Sequence, residues 1–236
     1  EPSAQAFLDD AALARRTGVF PSALIDQRVL LANRRALVGP TGLGTPSAIR
    51  LSADGTVSIG VRGEPLGGVD ELRDLLTVPM PRAAMLGAAT GGSAGPSDLI
   101  CRERIGRYLN ATDLMKTMRL ANGAGKIAGF GWCPGEDGRA DAEPRMRDPF
   151  LLDTTDGFVL ADLTTLRRRL LSPTTATVVT AVQTSTTAEL AADRVSCELD
   201  IDAGDARGLC LGAVDALDIH LGTPSDAACA AHGVRT

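Results

Sequence analysis

The chain has 236 residues, 44% of them hydrophobic, and a formal net charge of −5. That is enough apolar material for one large core or two small ones, and the diffuse acidic balance argues against nucleic-acid contact, which needs clustered Lys and Arg. Aromatic residues make up only 3%, so the core is expected to consist of Ala, Val, Leu and Ile, and a site stacking bases or sugars on several rings is disfavoured.

In chain order, residues 3–16 predict a helix. Ser3 can cap it, Phe7, Leu8, Ala11, Ala12 and Ala14 give a partial apolar stripe, and Gly18 can end it. Short apolar segments follow at 28–32 and 36–39, before the break at Pro40-Thr41-Gly42. Residues 48–61 predict a β-hairpin. Ile49 and Leu51 share a face with Val57, Ile59 and Val61, and Asp54-Gly55 supplies a favoured turn pair. A short helix is expected over 69–76, an apolar segment that can be a buried strand over 83–89, and a Gly-rich loop over 90–96. The span 97–121 predicts helices, the first capped by Ser97 and ending at Leu109, the second capped by Thr112 or Asp113.

Residues 123–149 are rich in Gly, Pro and charge and hold the single Trp. So long a loop inside a compact domain is unusual, so a boundary is placed here, dividing the chain into a mixed α/β region, 1–143, and a mostly antiparallel β region, 144–236. Within the latter, 158–163 is apolar and 164–171 predicts a helical turn with Arg167, Arg168 and Arg169 solvated. The Thr- and Val-rich stretch 175–187 suits a strand. Residues 193–202 alternate, with Val195, Cys197, Leu199 and Ile201 on one face and Ser196, Glu198, Asp200 and Asp202 on the other. Segments 209–211 and 217–221 complete the expected set. The fold class is therefore α+β and β-rich, with an N-terminal helix and hairpin region and a C-terminal antiparallel sandwich or barrel-like region.

Three constellations carry possible chemistry. Gly91-Gly92-Ser93-Ala94-Gly95 matches the turn that exposes a nucleophilic serine in α/β-hydrolases, with His220 as base and Asp215 or Asp218 as orienting acid. Pro96 and the missing strand–helix alternation count against it, and a Gly-rich surface loop explains the motif as well. Asp200, Asp202 and Asp205 sit on a turn that can gather around a cation, although strand alternation already turns the first two to water. Cys229 and His232 have the spacing of half a zinc site, with only scattered Cys133, Cys210 or His220 to complete it. The same Gly-rich loop places Ser93 where a phosphate-binding Lys belongs, so nucleotide binding is set aside. The five dispersed cysteines do not form a disulfide framework, though Cys197 and Cys210 could meet across a hairpin. No apolar run reaches the roughly 18 to 20 residues that span a bilayer. No cofactor, membrane or nucleic-acid partner is expected.

Residues 44–60, from Gly44-Thr45-Pro46-Ser47 through Asp54-Gly55 to Gly60, resemble the short hairpin units common in tailed-phage fibre and baseplate proteins. The resemblance implies a virion structural role in a symmetric oligomer, with no catalytic residues to carry over. The expected function is thus a non-enzymatic structural or assembly protein, in contact with copies of itself or other structural proteins, in a virion or extracellular setting with the cytoplasm left open. A serine hydrolase using Ser93 and His220 is the alternative, and an extracellular cation-dependent binding module the third option.

Overall fold

The structure, a computed structural model, describes residues 4–29, 31, 34, 43–45, 49–59, 65–81, 96–120, 125–134 and 139–224. The segment expected at 36–39, residues 30 and 32 of that expected at 28–32, the apolar stretch 83–89, the loop carrying Ser93, and Cys229 with His232 lie outside these residues. The chain divides into two compact units, one comprising 1–11 and 27–109, the other 12–26 and 110–236. The division expected between 143 and 144 falls inside the second.

In the first unit, β1 (Leu43–Gly44) pairs antiparallel with β5 (Met80–Pro81). The predicted hairpin forms β2 (Ile49–Leu51) and β3 (Thr56–Ile59), with Ile49 opposite Ile59 and Leu51 opposite Val57. Its turn is built as the Asp-Gly pair suggests. Gly55 adopts φ +83°, and the Asp54 carboxylate accepts the Thr56 N–H at 3.0 Å. A third strand, β4 (Pro65–Gly68), pairs with β3 through an irregular register. It leads through a single 3-10 turn (Val69–Glu71) into α3 (Leu72–Leu75), close to the expected helix.

Helices α1 (Ala4–Thr17) and α2 (Ser22–Ile25) precede these elements in sequence. α1 ends where expected: Gly18 takes φ +65° and donates its N–H to the Ala14 carbonyl at 2.7 Å. α4 (Pro96–Met118) is one helix where two were expected. Asn110-Ala111-Thr112 contains no Gly or Pro to break it, and the buried stripe of Leu109, Ala111, Leu114 and Met115 runs straight through. Thr112 lies inside the helix and not at the start of a second one, and it is buried.

The second unit is built on a four-stranded antiparallel sheet in the order β10-β9-β8-β6. Its strands are β6 (Lys126–Ile127), β8 (Phe150–Thr154), β9 (Gly157–Ala161) and β10 (Arg168–Leu171). A separate two-stranded antiparallel pair joins β7 (Ala142–Glu143) to β11 (Thr223–Pro224). Register sorts the sheet's side chains. Leu151, Leu160 and Arg169 lie opposite one another on one face, while Leu152, Val159 and Leu170 share the other.

Three helices cover the first face: α5 (Pro173–Gln183), α6 (Ala188–Leu199) and α7 (Ala203–Leu217). Leu151 and Leu160 join Val179, Val182, Val195 and Ile219 in one dry cluster. This is where the structure departs furthest from the sequence reading. The α+β class and the antiparallel pairing hold, but helix outweighs strand, 45% against 22%, so the β-rich sandwich is met only in part. Segments 175–187, 195–202 and 209–211 are mainly helical, and 217–221 runs from the last residue of α7 into a loop; none of them is a strand.

The physical reason lies in caps and longer-range periodicity. Ser172 accepts the Thr175 N–H at 3.1 Å and Pro173 takes the first helical position, so α5 starts despite its β-branched composition. Every residue from Val178 to Gln183 is buried, as is Ala176, so α5 is enclosed on all sides and its β-branched residues pack as a core helix. Thr187 caps α6 by accepting the Leu190 N–H, and Asp202 caps α7 by accepting the Gly204 N–H at 2.7 Å. In α6 the buried set is Ala191, Ala192, Arg194 and Val195, while Cys197 is exposed. Of the alternating set at 195–201, Val195, Leu199 and Ile201 still pack in the core, while Cys197, two residues from Val195 on a helix, does not. Cys197 and Cys210 are free thiols on different helices and do not pair.

A smaller correction concerns 164–171. Asp162 accepts the Thr164 N–H at 2.7 Å and closes a turn, Leu166 takes φ +58°, and the chain then runs as strand β10. A left-handed Leu stops any helix at that point, and the Arg run lands on a sheet edge.

Candidate functional site

The sharpest polar constellation in the second unit joins Asp148 to His220. Asp148 stands two residues ahead of β8, and its carboxylate is 2% exposed. One oxygen accepts the His220 backbone N–H at 3.0 Å; the other lies 2.9 Å from His220 Nδ1. This geometry suits an Nδ1–H that donates to the carboxylate, with Nε2 as the ring's other nitrogen. The imidazole is half exposed, while its neighbour Ile219 is fully buried and anchors the segment. Arg145 adds a second tie, donating from Nε to the Leu221 carbonyl at 2.8 Å. Such a pair can orient an imidazole for proton transfer, and it can equally clamp two distant loops together.

No family model, curated protein or solved structure matches this chain.

His220 was expected as a base and does acquire a carboxylate partner, but not one of those anticipated. Asp218 closes α7 in a left-handed conformation, φ +54°, and Asp215 lies on that helix. The orienting acid is Asp148, 72 residues earlier in sequence. Its sequence signal was slight: a lone Asp before Pro149 and an apolar strand. Ser93 lies outside the described residues, so no nucleophile is placed against the imidazole.

The acidic turn is explained by helix termini. Asp200 ends α6 at φ +52°, Asp202 spends its carboxylate on the α7 cap, and Asp205 sits in the first turn of α7. Among the described residues no group of three or more His, Cys, Asp or Glu converges as a metal site.

Two polar features were not foreseen. Arg194 is buried on α6 and donates from one guanidinium nitrogen to the Thr184 carbonyl at 3.1 Å, to Thr184 Oγ1 at 2.8 Å and to Ser185 Oγ at 3.0 Å. Beside it, Asp141 accepts from the Thr186 hydroxyl and from its N–H at 2.9 Å. The Thr186 hydroxyl holds the Asp141 carboxyl below the usual range; desolvation opposes it, and the Thr186 N–H, the Asp141 N–H and the Arg194 charge help to a lesser degree. Next to this network opens a cleft of about 350 Å³ lined by Trp132, Cys133, Thr184 and the Arg15–Glu143 ion pair. Trp132 is stacked on Phe158 with centroids 6.3 Å apart.

The uncovered part of the sheet is the other notable surface. On the face turned away from the helices, Leu152 is fully buried, Val159 half-buried and Leu170 71% exposed. Burial thus fades across three adjacent strands towards β10, which among the described residues has a neighbouring strand on one side only. Leu166, at the entrance to β10, is 75% exposed. No helix among the described residues is long and apolar enough to cross a membrane.

Proposed function

We propose that this chain is a non-enzymatic assembly protein that works through contact between folded surfaces, with copies of itself or with other structural proteins. The observation that carries this reading is apolar surface left uncovered on the second unit. Leu166 and Leu170 flank and occupy the sheet edge, and Leu209 and Leu211 stand exposed on α7. Single exposed leucines are ordinary, but an unpaired edge strand with an apolar side chain is a recognised template for association. A phage-like particle is the setting suggested by the β2–β3 hairpin and its resemblance, and it forms part of the same proposal.

Light scattering over a concentration series tests it. A mass rising above the 24.4 kDa of one chain supports assembly. A fixed single-chain mass at every concentration removes self-assembly.

The Asp148–His220 pair favours one second reading, a hydrolase with His220 as base and Asp148 as its orienting acid. Ser93 would be the nucleophile. A fluorophosphonate probe tests that reading: labelling abolished by both Ser93→Ala and His220→Ala would place it first. An unlabelled protein removes it.

A further inference from the structure

We propose that β10 is a docking edge for an acidic, extended segment of a partner protein, added as a fifth strand; this rests on the assembly reading and names its partner. The phase of the ladder shows which groups are on offer. Asp162 donates its N–H to the Arg167 carbonyl at 2.9 Å, and 167 stands opposite 162 when the β9–β10 register is extended by one residue. Hydrogen-bonded pairs alternate along an antiparallel ladder, so Arg169 and Leu171 turn their backbone groups to β9. Arg168 and Leu170 turn theirs outward. Both are exposed, so the edge presents two N–H groups and two carbonyls to an incoming strand.

The side chains specify the occupant. Arg168 and Leu170 project on the same face, two residues apart. An antiparallel partner therefore meets them with an apolar residue opposite Leu170 and, two positions later, a carboxylate opposite Arg168. On the face that carries Leu170 the charge on offer is that of Arg168, while Arg167 and Arg169 lie on the opposite face in a depression that Asp162 and Asp218 also line. Arg167, Arg168 and Arg169 are consecutive and exposed, and among the described residues neither Arg167 nor Arg168 has an ion-pair partner. Arg169 is tied down on the helix side, donating to the Ala216 carbonyl at 2.6 Å.

A second copy is the weaker occupant for the same reason. Two β10 strands related by a two-fold axis at 169 would oppose Arg169 to its own image, and an axis at 168 would oppose Arg168 to its image. Like charges directly across a ladder are destabilising. An axis at 170 would pair Arg168 with residue 172, where Ser172 is already occupied in capping α5.

The test measures binding of two fluorescent synthetic peptides to the full chain by anisotropy. One alternates Val with Glu, the other Val with Lys. The wild-type chain should bind the Glu peptide and not the Lys peptide. Leu170→Pro deletes an outward-facing donor without touching the β9 ladder, and Arg168→Glu reverses the local charge while leaving the backbone intact; each should weaken Glu-peptide binding by roughly tenfold or more. A thermal melt confirms that each variant is folded, and Arg168→Glu keeps the test valid if the Pro variant is not. Equal binding of both peptides, unchanged binding in folded variants, or no binding by the wild type would overturn the proposal. Light scattering on the same samples separates the two levels. Self-association without peptide binding leaves the assembly reading standing and removes the acidic partner. Self-association abolished by Leu170→Pro, again without peptide binding, assigns the edge to a second copy instead. A chain that neither binds nor associates defeats both.

Discussion

His220 is gripped twice by Asp148: its backbone N–H and its ring Nδ1 reach different oxygens of the same buried carboxylate, at 3.0 and 2.9 Å. The two contacts fix the segment after α7 against the segment before β8. Asp148→Ala removes both and is expected to lower stability by about 2 kcal/mol, whereas His220→Ala keeps the backbone contact and should cost about 1 kcal/mol or less. Urea unfolding of the two variants measures the difference. Equal effects would show that the ring, not the main chain, supplies the tie.

Three glycines separate close packing from helix propensity. A Cβ on Gly222 would lie 2.5 Å from the Gln183 carbonyl oxygen and 2.6 Å from Ala142 Cβ, so Gly222→Ala should destabilise by about 2 kcal/mol or more. Gly208 and Gly212 lie within α7, and a Cβ on either meets nothing within 4 Å. Gly208→Ala and Gly212→Ala should each stabilise by about 0.5–1 kcal/mol through helix propensity. Melting temperatures should therefore move in opposite directions for the two classes.

Arg194 brings a charge into the interior and distributes it over Thr184, the residue that caps the C-terminus of α5, and Ser185 beyond it. Replacing it with Met should cost about 2–4 kcal/mol, because three buried acceptors lose a shared donor. Lys cannot reproduce the guanidinium's fixed geometry, so Arg194→Lys should recover only part of the loss. Denaturant midpoints for the two variants check the order.

Asp141 supplies a pH dependence whose sign follows from its environment. Its carboxyl is held below the usual value chiefly by the Thr186 hydroxyl. A depressed folded-state pKa adds stability that is fully present above the unfolded value, about 4, and is lost as pH falls through the lower folded value. Thr186→Val removes the hydroxyl donor and should shift the acid-unfolding midpoint upward. An unchanged midpoint would show that the hydroxyl does not set the carboxyl.

Thiol chemistry should follow the helical placement of the cysteines. Cys197 is exposed on α6, while Cys210 is buried and burial pushes its thiol up. Alkylation of the native chain should therefore modify Cys197 and spare Cys210 until the protein is unfolded, as peptide mass mapping would read directly.

Short-range signals were legible in the sequence where local chemistry decides the conformation. Asp54-Gly55 specified the β2–β3 turn because positive φ is tolerated there, and Gly18 marked the end of α1 for the same reason. The α+β class followed from such elements. The region from 173 onward was misread because two patterns competed. Alternation over 195–201 mimics a strand, yet Ser172-Pro173, Thr187 and Asp202 are three helix starts whose caps outweigh it once the apolar faces have a sheet to cover.

The site was beyond reach for a different reason. Histidine at 220 was identifiable as a titratable residue, but its partner lies 72 positions away. No spacing rule connects them, because the pairing is made by the sheet and helices that bring the two loops together. The basic run at 167–169 was visible as charge alone. Only strand pairing determined that it would lie on an edge with backbone groups at 168 and 170 turned outward, since which side of a strand is left open depends on which strands have already joined the sheet.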